Sequence, residues 1–155
     1  MAAGPWVFSN LAKLNMFEGA TGLLKNGSAN YRLALLASTW TPAPTTDEVF
    51  ATMSANEIAG GTGYTTGGAA LTAVTLAQTA GVVKFTSAAQ VWTATGGSIA
   101  AWRYMMIYYL GTLNGKVNPI VGYALGDSTP ADVPATTVGN TLTVTMSESG
   151  ILSAT

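Results

Sequence analysis

Short segments of alternating or apolar residues, bounded by turn-forming residues, recur along this 155-residue chain. Such segments are typical of β-strands, and the turn residues between them indicate repeated changes of direction. We interpret eight segments as strands: Tyr31–Trp40, Leu71–Thr79, Gly81–Thr86, Val91–Thr93, Ile99–Leu110, Pro119–Leu125, Thr141–Thr145 and a short one near Ile151. Their regular spacing predicts a mainly β protein, a single antiparallel β-sandwich or jelly-roll-like domain over residues 1–155.

One short helix is expected near the start of the chain, from Ser9 to Glu18, within an N-terminal arm formed by residues 1–20. Four apolar residues recur there at intervals of three: Phe8, Leu11, Leu14 and Phe17. A stripe of this kind covers a core or docks on a neighbouring molecule, and we favour the first interpretation.

The strand predicted at Ile99–Leu110 is large and mostly apolar on both faces. Alternation places Trp102, Tyr104, Met106 and Tyr108 on one face, and Arg103, Met105, Ile107 and Tyr109 on the other. A strand with two apolar faces belongs in a covered sheet or at a subunit interface. We therefore expect the first four residues to be core or interface residues.

Charged residues make up only 8% of the chain, and histidine and cysteine do not occur. A typical globular domain has about 25% charged residues. Because histidine and cysteine are the side chains most used for proton transfer, nucleophilic attack and soft-metal binding, we expect no enzyme, no cofactor and no metal site. The six cations are scattered, which argues against nucleic acid, and no apolar run is long enough to span a membrane. A surface so poor in charge favours association with other protein chains.

A glycine-rich segment, Glu57–Gly68, invites comparison with phosphate-binding loops. The comparison fails because Thr66 stands where the third glycine of a dinucleotide fingerprint is needed, and no Gly-Lys-Ser/Thr string follows. We interpret the segment as a structural loop in which Gly61 and Gly63 permit a positive φ and Tyr64 anchors the loop by packing.

The remaining polar and aromatic candidates have structural interpretations. Arg32 and Arg103 lie on apolar strands, so we expect buried ion pairs with Glu57 or Glu48 as partners. The carboxylates Asp127 and Asp132 share a loop that could bind calcium, although solvated loop charges are favoured. Trp40 and Trp92 at strand ends are expected in the core or at a rim. As an alternative, they could form a carbohydrate-binding platform.

Several of these segments together resemble a family of small virion proteins of tailed bacteriophages. The resemblance rests on Arg32–Pro42, Glu57–Gly68, Val91-Trp92, Arg103-Tyr-Met-Met-Ile-Tyr, Ile120-Val-Gly-Tyr and Ser149-Gly-Ile-Leu. Its most specific part is the Gly-Thr-Gly-Tyr-Thr-x-Gly-Gly string that begins at Gly61.

The resemblance implies a β-sandwich on the capsid surface of the virion, made in the host cytoplasm. It implies a decoration (cement) protein that binds the major capsid protein and itself, as a homo-oligomer such as a trimer. A tail or baseplate protein and a carbohydrate-binding adhesion module are the alternatives.

Overall fold

The secondary structure consists almost entirely of short strands. The structure, a computed structural model, describes residues 3–18, 30–79, 82–146 and 151–154. The strands are β1 (Val7–Phe8), β2 (Tyr31–Leu36), β3 (Ala69–Ala70), β4 (Thr75–Thr79), β5 (Val82–Thr86), β6 (Gln90–Thr93), β7 (Tyr104–Tyr109), β8 (Thr112–Leu113), β9 (Lys116–Val117), β10 (Ile120–Leu125), β11 (Thr141–Val144) and β12 (Leu152–Ala154). One α-helix, α1 (Asn10–Phe17), and two 3-10 turns (Phe50–Thr52 and Ser54–Asn56) complete the set. Gly81, Ser149 and Gly150 lie outside the described residues.

The main sheet has five strands in the order β1-β10-β7-β2-β3, and every pairing is antiparallel. Strand β7 lies at its centre, with Ile107 opposite Leu33 on one side and Met106 opposite Tyr123 on the other. The smaller sheets are β12-β5-β4, β11-β6 and the hairpin β8-β9. The prediction of a mainly β, antiparallel fold with a short N-terminal helix is confirmed.

The larger core cluster lies between the main sheet and the smaller sheets. It combines Leu33, Leu35, Ile107 and Val121 of the main sheet with Phe85, Trp92, Leu142 and Val144 of the others. An edge-to-face contact between Tyr31 and Phe85, with ring centroids 5.1 Å apart, joins the two layers. Burial of apolar side chains between two layers is the arrangement of a sandwich.

The opposite face of the main sheet is covered by the chain that follows β2. Trp40, Phe50 and Met53 of this segment pack with Met106 and Tyr108 in a second core cluster. Phe50 stacks on Tyr108 with ring centroids 4.2 Å apart. The two apolar faces of β7 are therefore both covered within one chain.

Trp102 does not share a face with Tyr104, Met106 and Tyr108, which corrects the prediction from alternation. It packs in the larger cluster, whereas Met106 and Tyr108 belong to the second. The physical reason is that β7 begins only at Tyr104, and Trp102 forms an isolated bridge with Val133. Strand alternation does not extend through the bend at residue 103.

Helix α1 buries a different face from the predicted stripe. Ala12 and Asn15 are its buried residues, whereas Leu14 is 51% and Phe17 is 91% exposed. The helix is oriented by the Ser9 side chain, whose Oγ accepts from Ala12 N (3.0 Å) and donates to the Ile120 carbonyl (2.6 Å). This anchor turns Ala12 toward β10 and leaves Leu14 and Phe17 in solvent, whereas Phe8 is buried and Leu11 partly buried.

Replacing Ser9 with alanine is expected to lower the free energy of unfolding by about 1–2 kcal/mol, because the helix cap and a buried hydrogen bond are both lost. Urea denaturation measures the change. Ser54→Ala is the matched control, since the exposed Ser54 hydroxyl only donates to the Ala51 carbonyl within a 3-10 turn. Equal losses in the two variants would contradict the anchoring role of Ser9.

Candidate functional site

The segment Glu57–Gly68, hereafter the glycine loop, leaves and rejoins the same edge of β2. At its start, Ile58 N donates to the Leu35 carbonyl (3.1 Å) and Glu57 forms an antiparallel bridge with Leu36. At its end, β3 pairs with Arg32 and Leu33. A loop whose two ends lie close together, packed around its own side chains, has the form of an Ω-loop.

Tyr64 fills the interior of the glycine loop and is only 2% exposed. Its hydroxyl accepts a hydrogen bond from Leu35 N (3.0 Å) and donates one to Glu57 Oε1 (2.6 Å). Burial, and then the hydrogen bond to the Glu57 carboxylate, raise the pKa of Tyr64 well above its usual value. The hydroxyl thus satisfies the main-chain N–H of Leu35 on the edge of β2 that faces away from β7, between the Glu57–Leu36 bridge and β3.

Three further side-chain contacts hold the end of the glycine loop. Glu57 Oε1 also accepts from Gly67 N (2.8 Å), and the Tyr108 hydroxyl donates to the Gly67 carbonyl (2.7 Å). Arg32 donates to the Gly68 carbonyl (3.2 Å). Burial raises the pKa of Tyr108, and the Arg32 charge partly opposes this shift. The main sheet and the loop are joined through these side chains.

The predicted loop glycines occupy different surroundings. Gly61 has φ +99° with no atom within 4 Å of the place where a Cβ would stand. Gly63 has φ +97°, and a Cβ there would lie 1.9 Å from the Thr93 carbonyl oxygen of β6. Thr95 N also donates to the Thr62 carbonyl (3.3 Å). The loop therefore packs directly on the outer edge of β6 and needs a glycine at position 63 for space.

The polar groups of the glycine loop serve to hold its conformation. Its one carboxylate, Glu57, is engaged by Tyr64 and by a main-chain amide. No cluster of three or more potential metal-ligating acidic side chains occurs in residues 3–18, 30–79, 82–146 and 151–154. Across the same ranges, no helix has the length and apolarity needed to cross a bilayer.

The expected buried ion pairs are not formed with the expected partners. Arg103 Nε contacts Asp132 Oδ1 at 2.7 Å, with side chains 30% and 40% exposed, and Glu48 pairs with Lys116. Arg32 contacts a carbonyl, and Glu57 accepts from a tyrosine. Solvent competes for a half-exposed pair, so the Arg103–Asp132 contact adds little to stability.

The two loop carboxylates considered for calcium have separate protein partners. Asp132 is bound by Arg103 and by Ser38 Oγ (3.2 Å). Asp127 accepts from the main-chain N and the hydroxyl of Thr129, which lowers the pKa of Asp127. The two carboxylates therefore have no common partner, and only Asp127 is bonded within its own loop.

The aromatic residues considered for a carbohydrate platform are buried. Trp40 packs edge-to-face on Tyr104 and Tyr123, at 5.0 and 5.3 Å. Trp92 lies under the glycine loop with its ring centroid 5.8 Å from that of Tyr64. Neither tryptophan offers a face for stacking against a sugar.

The end of α1 presents apolar side chains to solvent, although Leu14 and Phe17 were expected to cover the core. Leu14, Met16 and Phe17, hereafter the apolar tip, are all exposed within little more than one helical turn. Asn114 holds this end of the helix by donating to Asn15 Oδ1 (2.9 Å) and Glu18 Oε2 (2.8 Å). The helix is thus held with Leu14 and Phe17 of the predicted stripe in solvent, whereas Phe8 at the start of the stripe is buried.

No protein-family model, no curated protein and no solved structure matches this chain.

Stability at alkaline pH tests directly whether the fold holds the buried Tyr64 hydroxyl in its neutral form. The pKa of Tyr64 is raised in the folded state. Its contribution to the free energy of unfolding is therefore fully present below the pKa of the unfolded chain, about 10, and is lost as pH rises above that pKa. Above pH 10, the free energy of unfolding of the wild type should fall about 1.4 kcal/mol per pH unit more steeply than that of Tyr64→Phe. Urea denaturation between pH 8 and about 11.5 measures both slopes. Parallel slopes would show that the hydroxyl is not locked in its neutral form.

Proposed function

We propose that this chain is a structural component of a bacteriophage virion, a capsid decoration protein that stabilises the shell by binding across major capsid protein subunits. The observation that carries the proposal is the apolar tip, three large side chains left in solvent on an anchored helix. Adjacent exposed apolar side chains of this kind mark surfaces that bind other proteins.

The scarcity of charge supports the same class of partner. Only 8% of the chain is charged, and Val91, Val117 and Val138 add exposed apolar side chains to a surface rich in threonine. A weak contact between uncharged surfaces becomes effective when many copies bind a repeating lattice, because linked contacts raise the overall affinity. The resemblance to small phage virion proteins points to a capsid as that lattice.

Self-association is part of the proposal, since a homo-oligomer such as a trimer would present several apolar tips to the shell at once. Measurement of the solution mass tests this part. A solution mass equal to that of the monomer at micromolar concentration would contradict self-association. It would not contradict the proposed contact with the capsid protein.

Imaging of assembled particles tests the proposed function. The expected result is density for this fold repeated across the shell lattice. Absence of the chain from the lattice would overturn the capsid assignment. A copy number of about six or twelve per particle, the symmetry of a ring, would instead assign the chain to the tail or baseplate.

A further inference from the structure

The outer edge of β11 is unpaired within the described residues. Ala94 N donates to the Asn140 carbonyl (2.9 Å), and the register continues with Trp92 opposite Leu142 and Val91 opposite Thr143. Bonded and non-bonded pairs alternate along an antiparallel ladder, so the N–H and C=O groups of Thr143 point away from β6. Those of Thr141 point the same way.

The β11 edge is short but lacks the charged and conformationally special residues that discourage strand pairing. Residues 141–146 read Thr-Leu-Thr-Val-Thr-Met and include no charge, proline or glycine. Natural edge strands are commonly protected by such residues or by a covering loop. The outer edge of β6, on the other side of the same sheet, is covered in this way by the glycine loop. Among the described residues, no loop covers the β11 edge in the same way.

A cleft of about 300 Å³ adjoins the open edge. Residues 143–145 form one wall, and the rest of the lining includes Ala3, Trp102, Met105, Gly126 and Val133. No charged side chain lines it. Trp102 Nε1 is buried without a hydrogen-bond partner among the described residues. Because the Trp102 side chain is part of the cleft lining, its indole N–H signal can report on an occupant.

We propose that the β11 edge and this cleft bind an extended, uncharged segment of a partner polypeptide, which adds as a third strand to the β6–β11 sheet. Main-chain hydrogen bonds to Thr141 and Thr143 would supply affinity, and apolar side chains at alternate positions of the segment would enter the cleft. Leu142 and Val144 face inward on β11, so the side chains opposite them on an added strand face the cleft as well.

The cleft favours a single extended segment over the edge of a second copy. A second β11 would bring a whole sheet against the wall that contains Ala3 and Gly126, whereas a lone strand needs only the width of one chain. The inference deepens the proposed function, and rests on it only for the source of the segment, an arm of the capsid protein. Binding of a synthetic peptide tests the cleft by itself.

The experiment uses the full chain labelled with nitrogen-15 and a blocked peptide Thr-Val-Thr-Val-Thr-Val. We expect the peptide to shift the indole N–H signal of Trp102 and to slow amide exchange at Thr143. Thr143→Pro removes the outward N–H without touching the ladder to β6 and should weaken binding about tenfold or more. Thr143→Val keeps the N–H and should bind like the wild type. A peptide with lysine in place of valine should not bind.

Ala3→Trp, a change at an exposed residue of the cleft, provides a second variant should Thr143→Pro fail to fold, and it should also block the peptide. Absence of peptide binding at millimolar concentration, or binding unaffected by both variants, would overturn the proposal. Protection of Thr143 that grows with protein concentration and needs no peptide would assign the edge to a second copy and would overturn it as well.

Discussion

Replacement of Gly63 by alanine is expected to destabilise the fold by about 2–5 kcal/mol. The added Cβ would stand 1.9 Å from the Thr93 carbonyl oxygen, a main-chain atom that cannot move without disturbing the β6–β11 ladder. The positive φ adds strain that alanine tolerates poorly. The glycine loop would have to withdraw from β6 and expose Tyr64 and Trp92. Urea denaturation measures the loss.

Gly61→Ala is the matched control for this substitution. Gly61 has nearly the same φ, +99° against +97°, but open space around the added Cβ. It should cost only the backbone strain, about 1–2 kcal/mol. The difference between the two variants isolates the contact with Thr93. Equal losses would show that the glycine loop does not pack on β6 as described.

Replacement of Trp102 by alanine is expected to cost about 3–5 kcal/mol, the usual loss for a buried tryptophan. Trp102 is 4% exposed and lies against Val133 and the bare main chain of Gly126, where a Cβ would approach the indole ring to 2.4 Å. Thermal and urea denaturation measure the change.

Val91→Ala serves as the control for Trp102, because Val91 is an exposed apolar residue on β6 and should change stability by less than about 0.5 kcal/mol. A Trp102→Ala protein that is soluble and as stable as the control would contradict the role of Trp102 in joining the main sheet to the 126–133 loop.

The strands could be predicted because their signals are local. Alternation and turn residues mark β2, β10 and β11 in the sequence, and β7 has two apolar faces because the segment after β2 folds back over one of them. The face of Trp102 could not be predicted, since it depends on a bend at residue 103 that alternation does not register.

The contacts between residues distant in the chain could not be predicted from the sequence either. Arg103 finds Asp132, 29 positions away, because the loop after β10 returns beside β7. The outward face of α1 depends on the Ser9–Ile120 hydrogen bond across 111 positions. In the glycine loop, the pattern indicated special backbone and a buried Tyr64, but not the Glu57 carboxylate that accepts from its hydroxyl.

We propose that the apolar tip is the surface by which this chain binds another protein, the capsid protein of a bacteriophage. Co-sedimentation of the purified chain with bacteriophage capsids that lack it tests this proposal most directly. The wild type and Val138→Ser, which changes an exposed valine elsewhere, should sediment with the shells. The double variant Leu14→Ser, Phe17→Ser should sediment clearly less than either of them, with its fold intact. Equal binding of all three proteins, or no binding by any of them, would contradict the account.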